Sequence, residues 1–76
     1  DQYPELCYLS NQHILDVMTE GERNHPAGLW QRQPLLLHVA HALAHLQSYE
    51  RTQLAEDLEH AHCRLSMALW VRENAK

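Results

Sequence analysis

Seven histidines fall within 76 residues, and three of them, His38, His41 and His45, recur at spacings of three and four. On an α-helix that spacing lines the imidazoles along one stripe. Imidazole titrates close to neutral pH and ligates metals through either ring nitrogen, so such a stripe suits metal binding or pH sensing. The metal reading takes His41 and His45 as an i, i+4 pair and completes the set with Glu56 and His60, which are also four apart, while Asp57 lies three before His60. Three imidazoles and a carboxylate would satisfy zinc or a similar divalent cation. The H-E-x-x-H pattern is absent, because Ala42, Leu43 and Ala44 separate the first pair and none is a general base.

The plainer reading makes the same imidazoles semi-polar spacers at a helix interface, bonded to Glu, Gln or backbone groups of a neighbour. It is the default. His62 reads as a core-edge residue, and His13 and His25 as surface positions. No residue qualifies as catalytic: Ser10, Ser48 and Ser66 stand in no nucleophile context, and no glycine-rich phosphate loop occurs. Glu56, Asp57 and Glu59 point in different directions around one helix, where they complement its dipole. Binding is therefore expected before catalysis, with no cofactor on the plainer reading and a divalent metal, zinc or magnesium, on the other.

The elements that must carry these residues are helical. Leu is abundant, Phe is absent and no long apolar–polar alternation occurs, so the fold class expected is all-α. Ser10 suits an N-cap and Gly21 a C′ position, which predicts a short first helix over about 10–20. Residues 1–9 before it read as a turn or an extended arm. Pro26 and Gly28 mark a loop over 22–33, long for a compact domain, with Trp30 as its anchor to the core. Pro34 suits a first helical position, so a second helix should run over about 34–49. Its apolar face would be Leu35, Leu36, Val39, Ala40, Leu43 and Leu46, with the histidines on a separate flank. Thr52 is the expected N-cap of a third helix over about 52–73, whose inner face would be Leu54, Leu58, Ala61, Leu65, Ala68 and Leu69. The short linker predicts an antiparallel hairpin of the second and third helices. The whole of 1–76 reads as one three-helix domain that dimerises into a helical bundle.

Size and charge narrow the functions. A chain this short buries only about 60% of the surface its unfolded form exposes, so association is the natural remedy. The formal net charge of −4, with six Lys and Arg against ten acids, argues against direct binding of nucleic acid. No apolar run is long enough for a membrane span and no secretory signal pattern opens the chain, so a cytoplasmic protein is expected. A chain opening on Asp1 instead of Met is compatible with a preceding stretch removed in processing. Cys7 and Cys63, in no metal-ligand spacing, are expected to be free thiols.

One resemblance bears on fold. The ordering Glu20-Gly21, His25, Gly28-Leu29-Trp30, then Ala42-Leu43-Ala44-His45-Leu46, then Glu56-Asp57-Leu58-Glu59-His60-Ala61 resembles the N-terminal helical domain of phage-type dATP/dGTP diphosphohydrolases, which share the MazG-like architecture. The likeness covers about 20–69. It implies a helical hairpin with a preceding helix, gives Trp30, His45 and His60 the places of the family's loop Trp and helix histidines, and implies nucleotide binding or hydrolysis. Ala44 stands where that family usually carries a basic residue. By size and character the chain also looks like the small acidic helical dimers that act as anti-activators of quorum-sensing transcription factors.

The function expected is that of a homodimeric, protein-binding regulator or inhibitor of another bacterial or phage protein, such as a transcriptional regulator. The alternative is a nucleotide-binding or hydrolysing module. The second apolar face of the third helix assigns the dimer interface to Leu65, Met67, Trp70 and Val71. Tyr3, Leu6, Tyr8, Leu29 and Trp30, aromatic and apolar at positions expected to be non-helical, form the candidate partner surface.

Overall fold

A computed structural model describes residues 2–75. Four helices follow in order: α1 (Tyr3–Glu22), α2 (Leu29–Arg32), α3 (Leu35–Thr52) and α4 (Ala55–Asn74). Among the described residues there is no strand, and no helix is long and apolar enough to cross a membrane.

The first helix is twice as long as its caps suggest. Pro4 sits in its first turn, where a missing N–H costs nothing, and Leu6 N–H already donates to the Gln2 carbonyl. From there to Gly21 no Pro or Gly interrupts the chain, so Ser10 lies within the helix and caps nothing. Gly21 belongs to the last turn; Asn24 and His25 N–H both donate to its carbonyl and close the end. The expected arm over 1–9 is thus helical from Tyr3 onward.

The expected loop over 22–33 contains the single turn α2. Gly28, at φ 77°, takes the left-handed conformation that glycine adopts without steric cost, and α2 starts directly after it. Pro34 is the extended N-cap of α3 rather than its first helical residue. Thr52 does not cap α4. It ends α3, and Leu54 is the N-cap of α4. Gln53, at φ 56°, makes the left-handed turn between the helices.

The packing of α3 reverses the expected faces. His38, fully buried, and Ala42 face the core, whereas Leu36 is 75% exposed and Val39, Leu43 and Leu46 are exposed with it. On α4 the expected inner face divides: Ala61 and Ala68 are buried as expected, joined by Cys63, whereas Leu54, Leu58, Leu65 and Leu69 are exposed. Small residues let two helices approach closely, and backbone-near contact replaces long side chains in the seam. Polar groups enter such a seam favourably only when hydrogen bonded, a condition His38 meets at both ring nitrogens and His62, whose buried Nε2 has no partner, does not. α1 and α2 both pack against α4.

Candidate functional site

Cross-helix hydrogen bonds organise one flank of α3 and α4. His38 Nε2 lies 2.8 Å from the Trp30 carbonyl oxygen, and its Nδ1 lies 3.1 Å from Arg64 NH1. A carbonyl only accepts and a guanidinium only donates. These partners therefore place the imidazole hydrogen on Nε2 and leave Nδ1 as the acceptor. Arg64 NH1 also donates to Gln33 Oε1 at 3.3 Å, so His38 and Arg64 together fasten the α2 segment to α3 and α4.

A second group lies near the turn. His45 Nδ1 is 3.0 Å from Asp57 Oδ1, and Ser48 Oγ donates to Asp57 Oδ2 at 2.9 Å. Thr52 Oγ1 stands 3.1 Å from both Asp57 Oδ2 and the Ser48 carbonyl and accepts from Leu54 N–H. The hydrogen bond from His45, then that from Ser48, holds the Asp57 carboxyl below its ordinary range. The His60 ring sits beside His45 with centroids 4.9 Å apart. An Asp-oriented imidazole whose Nε2 faces away from its carboxylate is a geometry suited to accepting a proton or ligating a metal.

Of the four candidate ligands, the fold brings His45 and His60 together. Glu56 is exposed, and the carboxylate on His45 belongs to Asp57. His41 is exposed on the same helix; partial burial, followed by the charges of Arg64, His45 and His38, lowers its pKa. Among the described residues no three His, Cys, Asp or Glu side chains are grouped to hold a metal ion. Asp57, three residues before His60, takes the carboxylate place that the metal reading gives to Glu56, and Arg64 is the member of this flank that the spacing does not assign. Asp57 had a signal in the hydroxyls of Ser48 and Thr52, four apart and just before it; Arg64 had one as a cation between Cys63 and Leu65 on an apolar helix.

The partner and dimer candidates divide between two places. Tyr3, Leu6 and Tyr8 are exposed on the first turns of α1, helical rather than in an arm. Leu29 and Trp30 are half-buried in α2, also helical. Trp30 meets Trp70 edge to face at a centroid distance of 5.1 Å and His38 at 6.5 Å, so Trp30 anchors its segment as expected of it. Met67 lies with Trp70 on the side of α4 that meets α1 and α2. Leu65 stands apart from them, at a helical interval from Leu58 and Leu69, and Val71 is half-buried. His13 ties α1 to α4 through Glu59 at 3.1 Å. Both thiols are free; Cys7 is exposed, and burial raises the pKa of Cys63.

Compared with family models, with curated proteins and with solved structures, the chain matches none of them.

Proposed function

We propose that the protein is a small homodimer that acts in the cytoplasm by binding another protein, as a regulator or inhibitor of bacterial or phage origin whose target is a protein such as a transcriptional regulator. The observation that carries this reading is the outward leucine face. In it α3 and α4 form an antiparallel hairpin: partners on α4 climb from Asp57 to Arg64 as those on α3 fall from Ser48 to His38. With that polarity and about 100° per residue, Leu36, Val39, Leu43 and Leu46 share one side of the hairpin with Leu54, Leu58, Leu65 and Leu69. A second copy placed on this face would complete a four-helix arrangement.

Surface area supports the same reading. A folded monomer of 8.9 kDa is expected to expose about 4,800 Å², whereas this chain exposes 6059 Å². The excess of about 1,200 Å² is larger than the ~800 Å² that each partner contributes to a standard interface. The exposed first turns of α1 then offer Tyr3, Leu6 and Tyr8 to the target, since aromatic anchors are favoured at interface hot spots. Sedimentation equilibrium tests the assembly: a dimer is expected at tens of micromolar, on the order of a micromolar affinity, and a monomer throughout that range would overturn it.

The adjacency of His45 and His60 favours a second reading, a nucleotide-binding or hydrolysing module with a divalent metal. Incubation with dATP or dGTP and magnesium, manganese or zinc separates the two. Pyrophosphate release that disappears in both His45→Ala and His60→Ala would replace the binding-only function.

A further inference from the structure

A cavity of about 190 Å³ opens between the end of α1, the segment 25–30 and α4. It exceeds the ~150 Å³ that admits a benzene ring into a protein interior. Met18, Trp30 and Met67 supply apolar walls, and Gln33, His60 and Arg64 supply polar groups. This is the usual composition of a small-molecule site, an apolar body with a few convergent polar atoms.

Arg64 has an unusual set of partners. It is half-buried, yet its hydrogen bonds go to two neutral acceptors, Gln33 Oε1 and His38 Nδ1, both through the same nitrogen NH1. Among the described residues it forms no ion pair. A guanidinium presents a planar fork of five donors that matches a carboxylate in a bidentate fashion. Here one arm is fixed by His38 and Gln33, which orients the fork without neutralising it. The charge is felt locally, since after burial Arg64 is the leading cause of the lowered pKa of His41. Glu22 also lines the cavity and is exposed, so a dianion would meet repulsion that a monoanion meets half as strongly.

We propose that this cavity binds a small monocarboxylate with an apolar ring, its carboxylate on Arg64 and its ring against Trp30 and Met67. His38 acts as a positioning residue, because its Nδ1 accepts from Arg64 NH1 and fixes that arm of the guanidinium. The site is independent of the leucine face, so it stands or falls separately from the proposed dimer.

3-Phenylpropionate and its amide form a matched probe pair, equal in shape and different in charge. On the native chain at pH 7.5, two-dimensional NMR titration should give the acid a dissociation constant below about 1 mM, with the Trp30 indole resonance among those that shift. The amide should bind at least tenfold more weakly, because it cannot form the charge-assisted fork. Arg64→Gln should remove the preference for the acid while leaving weak binding of both. No shift with the acid at 10 mM, equal affinity for acid and amide, or a preference unchanged in R64Q would each overturn the proposal. If R64Q does not fold, the acid–amide ratio and the location of the shifts on the native chain decide alone.

Discussion

The two flanks of the α3–α4 pair are built from opposite materials. On one, His38, His45, Asp57 and Arg64 are drawn inward and joined by hydrogen bonds; on the other, eight leucine and valine side chains remain in water. An isolated monomer would be expected to do the reverse, since fully burying a leucine is worth about 1.5–3 kcal/mol and a buried polar group only offsets its own desolvation. The contrast teaches that the polar flank specifies how α2, α3 and α4 fit together, while the apolar flank is the surface that the proposed dimer would cover.

The largest expected effect comes from breaking the apolar flank. Leu43→Glu combined with Leu58→Glu places two carboxylates on the proposed dimer face and should weaken self-association at least a hundredfold, on the order of 3 kcal/mol. Helix content by circular dichroism should persist at concentrations where the wild type is also monomeric. Trp70→Ala, which acts on the side of α4 that holds Trp30, should reduce association less than this pair. If Trp70→Ala has the larger effect in sedimentation, the interface runs through Met67, Trp70 and Val71 and the leucine face has another occupant.

Next in size is a break in the polar flank. His38→Ala empties a fully buried site, removes one of the two donors to the Trp30 carbonyl, the other being Gln33 N–H, and takes the acceptor from Arg64, for an expected loss of roughly 3 kcal/mol from cavity and lost hydrogen bonds together. His38→Leu refills most of the volume but restores neither the imidazole donor to the Trp30 carbonyl nor the acceptor for Arg64, so it should cost about 1–2 kcal/mol less. Urea unfolding of the two variants measures the difference. Equal stability of H38L and wild type would mean that the seam needs shape and not hydrogen bonds.

How much of this was legible beforehand follows from the same two flanks. Helical class, the positions of α3 and α4 to within a few residues and the anchoring role of Trp30 can be read from periodicity, Pro34 and the turn near Gln53. The faces can be read only in part: Ala61 and Ala68 fall inside as their spacing predicts, but hydropathy also assigns the leucines to the interior, and the seam closes on Ala42 and His38 instead. The length of α1 escaped for a related reason: Ser10 has high cap preference, but propensity is a weak prior where no breaker stops the helix. Spacing sets Asp57 near His60, but not its pairing, which depends on a turn that brings Ser48, Thr52 and His45 to one carboxylate.

Acid titration separates the polar flank into parts. The pKa of His41 is lowered from its ordinary value of 6.5, so the folded state prefers the neutral ring; stability is present above about 6.5 and is lost as pH falls through the folded value. Asp57 is lowered from 3.8, so its contribution is present above about 3.8 and is lost only as pH falls through its lower folded value. Thermal unfolding between about pH 2 and 8 should therefore show a shallow decline below neutrality and a second one in strong acid. Asp57→Asn should abolish the second and lower the melting temperature at pH 7, whereas His41→Gln should abolish the first. A melting temperature that rises on acidification from pH 7 to 5 would contradict the assigned sign.

The smallest effect should come from the turn that carries both flanks. Gln53 holds φ 56°, a left-handed conformation that costs a residue with a side chain about 1–2 kcal/mol, and its backbone N–H closes the helix end on the Tyr49 carbonyl, a bond that glycine keeps. Glycine removes that strain and introduces an unfolded-state entropy penalty of roughly 0.5–1 kcal/mol. Gln53→Gly should thus stabilise the fold by about 0.5 kcal/mol, which for a domain of this size raises the melting temperature by about 2–4 °C. Because the substitution alters neither the His38–Arg64 contact nor any leucine, the dimer dissociation constant and the two acid declines should stay where they are. A shift in either would show that the turn sets the relative position of α3 and α4, and that the two flanks respond to it together.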